Sequence, residues 1–300
     1  MQALLIRSCL FLRYPTPFQI WSGNNRSIFM KGEIINFFSD LALKNIGIVL
    51  GDKKAYLIET RLEELSKNLG LAGIDELYDK TKFSLNNKLL DQIIDALTTN
   101  ETYFFRDKQQ FDALEKYVIT EIMERNKGNK RLRIWSAACS TGQEPYSIAL
   151  LIYDRFPQLL NWELEIIGTD ISKRVIEYAK QGAFSQIEVN RGLPARMLVR
   201  YFRQNGNRWI IDERIKRMVK FLRVNLLNDL SHLGRFDIIF CRYVLIYFTD
   251  SLKKNLVNRL ERMLYPGGYL FFGASEIASH LSRTMIRRSF NGAICYQLAL

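Results

Sequence analysis

Three places in the sequence hold residue types that could do chemistry together. The first is LTTNETYFFRD, Leu97 to Asp107. There cap-forming side chains (Thr98, Thr99, Asn100) run into three aromatics, Tyr103 to Phe105, and then a lone guanidinium, Arg106. The second is SAACSTGQEPYS, Ser136 to Ser147, where small residues surround Gly142 and Glu144 follows. The third is Asp170, the acid that closes the apolar run ELEIIGT. Small residues let a ligand come close to the backbone where a helix begins. A carboxylate at Glu144 repels a phosphate and attracts an ammonium or sulfonium group. An acid at the end of a second strand, Asp170, suits hydrogen bonds from both hydroxyls of a ribose. Simple helix-end roles remain open for both: a favourable charge at a helix N-terminus for Glu144, an N-cap for Asp170. Together the acid pair points to a cationic nucleoside, S-adenosylmethionine, over a pyrophosphate-bearing dinucleotide.

Methyl transfer from a sulfonium needs the methyl group aimed in line at a nucleophile, with water excluded. On that reading Asn100 and Thr102 hydrogen-bond the cofactor, Phe104 and Phe105 wall it off, and Arg106 holds a carboxylate through its fork of donors. A glutamate acceptor is already ionised at neutral pH, so the chemistry asks for no general base. The lack of a catalytic His–Asp or Cys–His pair then fits. An aromatic plug at a helix end is the structural alternative for the same stretch.

These residues need elements to position them. From Glu33 to about Leu97 the pattern is helical. Ile34, Phe37, Phe38 and Leu41 share a face, KKAYLIETRLEELSKNLG stops at Gly70, and GIDELYDK and NNKLLDQIIDALTTN read as two more helices. From Leu132 onward strands and helices alternate. LRIWSA, ELEIIGTD, VKFLRVN, FDIIFCR and YLFFGAS are the strands, and EPYSIALLIYDRF, ISKRVIEYAKQGAF and DSLKKNLVNRLERML the helices. This predicts an α/β fold with a doubly wound, mostly parallel sheet, and ligands at the carboxyl ends of its strands. Between Phe184 and Val219 the spacing predicts a helix over Pro194–Gln204 and a small antiparallel insertion around GNRWIIDE. The expected division is an extension over 1–29, a helical domain over 30–97, a linker with the active-site motif over 98–130, and a cofactor-binding domain over 131–300 with the insertion near 205–218.

Composition narrows the class. Of 300 residues 48% are hydrophobic, enough for a substantial core, so disorder is not expected. Cys9, Cys139, Cys241 and Cys295 are scattered, which argues for reduced thiols in a cytosolic protein and against a disulfide framework or a zinc site. His232 and His280 have no ligand-like spacing, so no metal is expected. No apolar run is long enough to span a bilayer. Cys9–Leu12 is too short for a signal-peptide core, and residues 1–29 are either a flexible extension or lie upstream of a start at Met30. The net charge is +12, concentrated in residues 1–31 and in 196–223, where nine bases meet Asp212 and Glu213. Such a local excess suits an acidic partner or a solvated face.

The motifs resemble those of the CheR-type chemotaxis receptor glutamate methyltransferases. The likeness runs from about Met30 to the C-terminus through GIVLGDKKAYLIETRL, TTNETYFFRD, WSAACSTGQEPYSIAL, IIGTDIS, VNLL, FDIIFCRYVLIYF and LYPGGYLFFGASE. The resemblance implies a Rossmann-like S-adenosylmethionine-dependent methyltransferase sheet, an N-terminal all-α domain and a small inserted β-subdomain. It implies cofactor contacts at Asn100, Thr102, Arg106, Glu144, Asp170, Asn225, Leu226 and Arg242, and a catalytic pair at Arg106 and Tyr247. It also implies methyl esters on chemoreceptor glutamates, with S-adenosylhomocysteine as the other product. The chain departs from the family where CRN becomes Cys241, Arg242, Tyr243; that asparagine lies at the cofactor, so Tyr243 joins the cofactor set. It departs again on the second helix, whose receptor-docking bases Lys53, Lys54, Arg61 and Lys67 are interrupted by Glu59, Glu63 and Glu64. Docking is then expected to lean on Arg196, Arg200 and Arg203, which share a helical face. A receptor's C-terminal tail peptide is a further candidate partner for the β-subdomain; nucleic acid and membrane insertion are not expected. Two rivals are an RNA methyltransferase, which would use the basic segment but lacks stacking modules, and a cofactor-binding module in which Tyr243 has ended turnover.

Overall fold

The structure is a computed structural model that describes residues 23–50, 55–276 and 282–300, with side chains from residue 32. Residues 1–22, Lys53, Lys54 and His280 lie outside the described residues.

Four helices open the chain: α1 (Gly23–Ile46), α2 (Ala55–Asn68), α3 (Ile74–Ser84) and α4 (Asn87–Leu97). In α1 the buried residues Ile34, Phe38, Ala42 and Ile46 recur at every fourth position, the spacing that keeps one face of a helix inward. They share one core with Ile58, Leu62 and Leu65 of α2 and Leu89, Ile93 and Leu97 of α4. Phe37 and Leu41 sit at the rim of that face rather than in it, and the Phe37 ring lies edge-on to Tyr78 at 4.9 Å. Asn86 caps α4 by accepting the Leu89 N–H at 2.9 Å, and Gly70 at φ +70° turns the chain after α2.

Residues 98–130, expected as a linker with the active-site motif, contain α5 (Lys108–Ala113), a π-helical turn (Leu114–Val118) and α6 (Ile119–Arg125). Phe111, Leu114, Val118 and Ile122 bury one face against the sheet. Their spacing in the sequence, at three and four residues, is that of a helix face.

The rest of the chain runs β1 (Arg131–Ala137), α7 (Gln143–Arg155), β2 (Glu163–Asp170), α8 (Lys173–Gln181), β3 (Ala183–Ser185), α9 (Gln186–Asn190), α10 (Ala195–Tyr201), β4 (Phe202–Asn205), β5 (Arg208–Ile211) and α11 (Glu213–Lys216). It continues with β6 (Val219–Arg223), β7 (Phe236–Cys241), α12 (Asp250–Arg262), β8 (Leu264–Phe271), β9 (Met285–Phe290) and β10 (Ala293–Leu298). The main sheet has the order β6-β2-β1-β7-β8-β10-β9. Its first five strands pair in parallel, and β10 and β9 add antiparallel. Strand order reverses between β1 and β7, which opens a crevice at their carboxyl ends. Both faces are covered, so β7 is buried at every position.

The inserted antiparallel sheet has the order β3-β5-β4 and begins at Ala183, well before the expected 205–218. Residues 213–216 are helical instead, and 219 already belongs to the main sheet. The expected helix over Pro194–Gln204 is shorter, because Phe202–Asn205 pairs with β5 as a strand. Strands β9 and β10 were not anticipated.

Candidate active site

The ten residues expected as cofactor contacts or catalytic pair line one cavity: Asn100, Thr102, Arg106, Glu144, Asp170, Asn225, Leu226, Arg242, Tyr243 and Tyr247. Its empty volume, open solvent at the mouth included, is about 970 Å³. It lies at the carboxyl ends of β1, β2 and β7.

After β1 the chain passes through Ala138 (φ +57°) and Ser140 (φ +51°) before Gly142 (φ +93°) starts α7. Each non-glycine residue in that region costs roughly 1–2 kcal/mol, so the turn must be held. Cys139 N–H donates to the Thr169 carbonyl at 2.8 Å, and Ser140 N–H to Asp170 Oδ2 at 2.9 Å. Ser140 Oγ donates to the Asn100 carbonyl at 2.7 Å, which ties the polar half of the first motif to the strand end.

Asp170 is 6% exposed, and its Oδ1 accepts the Ser172 N–H at 3.0 Å. Burial pushes its carboxyl upward against the pull of these backbone donors. The Ile171 N–H also acts on this carboxylate, so of its roughly four acceptor sites one remains for a hydroxyl in the cavity. The N-cap of α8 is Ser172, which accepts the Val175 N–H, so capping does not account for Asp170.

Glu144 is less free than its place in the motif suggested. It accepts from Ser136 Oγ at 2.6 Å and from Arg242 Nη1 at 2.7 Å. The Arg242 side chain is 2% exposed, and its Nη2 donates to Asp107 Oδ2 at 2.6 Å and to the Arg106 carbonyl at 2.7 Å. A buried cation is thus clamped between two carboxylates, and its Nε has no hydrogen-bond partner. Burial alone would raise the Asp107 carboxyl. The Tyr243 hydroxyl and the Arg242 charge outweigh it and hold Asp107 below the usual aspartate range.

Tyr243 adopts φ +59°. Its N–H donates to Glu276, which also accepts the N–H groups of Leu245 and Gly273, at 2.7, 2.9 and 2.8 Å. The hydroxyl assigned to the cofactor from the sequence is committed elsewhere: it donates to Asp107 Oδ2 at 2.6 Å. The ring lies 3.6 Å from the Arg106 guanidinium carbon, and Arg106 Nη1 donates to the Glu101 carbonyl at 3.0 Å.

The apolar wall is a different set of residues from the one expected, and mostly aliphatic. Phe104 is fully buried among Phe184 and Phe202, at 5.0 and 5.8 Å between ring centres, and Phe105 packs on Phe111. Neither lines the cavity; both anchor the motif. The apolar lining comes from Ile46, Ile48, Ile171, Val224, Val244 and Phe248. Ile46 and Ile48 belong to the N-terminal helical region, and no local pattern distinguished them from core residues. Asn225 presents a wall, but its Nδ2 donates to the Asn45 carbonyl at 2.7 Å and its Oδ1 accepts the Leu227 N–H at 3.0 Å. The Leu226 carbonyl accepts from Arg259. Cys139 also lines the cavity, and burial holds its thiol far above its ordinary value, so it stays protonated.

The donor set suits S-adenosylmethionine. It offers three carboxylates, Glu101, Glu144 and Asp170, apolar side chains for a purine, and no lysine among the lining residues to favour a pyrophosphate. The family model for the CheR methyltransferase all-alpha domain matches residues 33–98, and that for the CheR methyltransferase SAM binding domain matches residues 100–291. Chemotaxis protein methyltransferase Cher2 of Pseudomonas putida is 42% identical over 243 residues, 79% of this chain and 88% of that protein. The chemotaxis protein methyltransferase of Vibrio parahaemolyticus is 39% identical over 266 residues, 87% of this chain and 95% of that protein. The chain belongs to the CheR methyltransferase family, with S-adenosylmethionine as its cofactor.

Proposed function

We propose that the protein esterifies glutamate γ-carboxylates on the cytoplasmic helices of chemoreceptors, releasing S-adenosylhomocysteine, as part of chemotactic adaptation. The observation that carries this reading is Arg106: a guanidinium at the cavity wall, beside the Tyr243 ring at 3.6 Å, with no histidine or ionised thiol among the lining residues. Such a site suits an acceptor that arrives already anionic.

When bound, S-adenosylmethionine supplies an electrophilic methyl group on sulfur. The chain's own residues do the rest by positioning. Asp170 offers its remaining acceptor site to the ribose, and Asn100, Thr102 and Leu226 hold the nucleoside beside it. Arg106 receives the acceptor carboxylate, which needs no deprotonation at neutral pH, and Tyr247 lines the same cavity. Ile46, Ile48, Val244 and Phe248 exclude water, which strengthens every charge interaction inside. The relatives' names supply the chemotactic context. Each ester removes one negative charge from a receptor helix, which alters its packing and signalling.

Methyl-labelled cofactor incubated with the protein and chemoreceptor-bearing membranes should label the receptor, and alkali should release that label as methanol. Alkali-stable label, or label found in RNA, would overturn the assignment.

A further inference from the structure

We propose that Tyr243, locked in place by Asp107, is the positioning residue that orients the Arg106 guanidinium. The catalytic consequence rests on the methyl transfer proposed above; the orientation itself does not.

Arg106 makes one hydrogen bond among the described residues, from Nη1 to the Glu101 carbonyl. A single such bond leaves a long side chain much of its rotamer freedom, yet a bidentate grip on a carboxylate needs the fork in one orientation. The Tyr243 ring supplies the second restraint at 3.6 Å, well inside the 5.5 Å to Tyr103.

That ring is itself held at several points. The Tyr243 backbone is left-handed, a conformation a bulky residue keeps only where its surroundings over-determine it. Glu276 fixes its N–H, and Asp107 fixes its hydroxyl. Gly273 leaves room for the ring, since a Cβ there would meet Cδ1 and Cε1 at 3.0 Å. Asp107 is left-handed too, at φ +58°, and is anchored by Arg242, which Glu144 holds from the first turn of α7. A continuous chain of charged and hydrogen-bonded groups therefore runs from α7 to the Arg106 guanidinium. A direct cofactor role for the Tyr243 hydroxyl would compete with its bond to Asp107.

The test uses the full chain labelled with [15N]arginine and free of ligand, the Arg106 Nε–H signal being identified by its loss in Arg106→Lys. Ring current should shift that signal upfield in the wild type. Tyr243→Leu should return it to the position of solvent-exposed arginines, and Tyr243→Phe, which keeps the ring but loses the Asp107 bond, should move it partway. A wild-type signal at the exposed position, or one that Tyr243→Leu leaves unmoved in a folded protein, overturns the proposal. In methyl transfer, Tyr243→Leu should lower kcat about tenfold with Arg106 present but less than about twofold in the Arg106→Lys background, the KM for cofactor changing less than about twofold. Equal losses in both backgrounds overturn it as well. Should the wild type esterify no glutamate, the function proposed above fails, and the resonance shifts still decide the orientation of Arg106.

Discussion

Between residues 196 and 223 the chain carries nine bases, whereas the cavity wall carries two arginines, Arg106 and Arg242. Six of the nine are spent on neighbouring acids. Arg196 and Arg200 converge on Asp154, Arg214 holds Asp212, Lys216 holds Glu213, Lys220 holds Glu165, and Arg223 holds Asp91. Arg203, expected on a helical face with Arg196 and Arg200, stands instead on β4. On α2, Arg61 donates to the Leu97 carbonyl and to Thr99 Oγ1, so it braces the end of α4. The two settings are inverted. At Asp154 a carboxylate 2% exposed is covered by arginines that are 58% and 61% exposed. At the cavity an arginine 2% exposed is held between two carboxylates. Exposed cations are screened and hydrated, so each such pair contributes little; a buried cation stripped of a partner is costly. Charge density in the sequence marked a surface, while isolated arginines marked the site.

Four substitutions test that contrast. Arg242→Met should have the largest effect, a loss of about 3–5 kcal/mol in denaturant unfolding, because it leaves Glu144 and Asp107 uncompensated. A loss near that of a surface pair would erase the distinction between the two sets. Arg106→Ala should lower turnover by about 10²–10³, as removal of a preorganised charge donor does, with unfolding free energy changed by less than about 0.5 kcal/mol. Full activity in that variant would remove Arg106 from the site. Asp170→Ala should weaken S-adenosylhomocysteine binding by about 1–3 kcal/mol in calorimetry, the cost of losing an acceptor for buried hydroxyls. Unchanged affinity would move the ribose contact to another residue. Arg196→Ala should be the mildest, at most about 1 kcal/mol of stability with turnover unchanged. A marked loss of receptor methylation there would restore the basic segment as a docking face.

Much of the architecture was legible because its signals are local. Four-residue spacing in α1, the apolar runs of β1, β2 and β7, and the acid closing β2 are all visible within a dozen residues. The insertion around GNRWIIDE is present as β5, but its earlier strands were missed because β3 and β4 are three and four residues long, too short for a period-two pattern to stand out. Strand β9 (MIRRSF) sets three polar residues in a row and β10 (AICYQL) is mostly apolar, so neither shows a period-two alternation, and their partners lie in β8 and in each other. Phe104 and Phe105 looked like a wall because aromatics beside a polar hook suit a ligand. Phe184 and Phe202, the side chains that bury Phe104, are some eighty and a hundred residues away, a separation no local pattern can read.

The sequence by itself determined the order of helices and strands, and with it the strand ends where a nucleoside can lie. Local periodicity and capping suffice for that, since they depend on neighbours a few residues apart. Only the tertiary structure decided how the charges are used. Glu144 meets Arg242 across 98 positions, and Arg242 meets Asp107 across 135. Ile46 and Ile48 close the cavity from the helical region. Electrostatic and apolar contacts depend on distance and burial in space, and folding alone sets both.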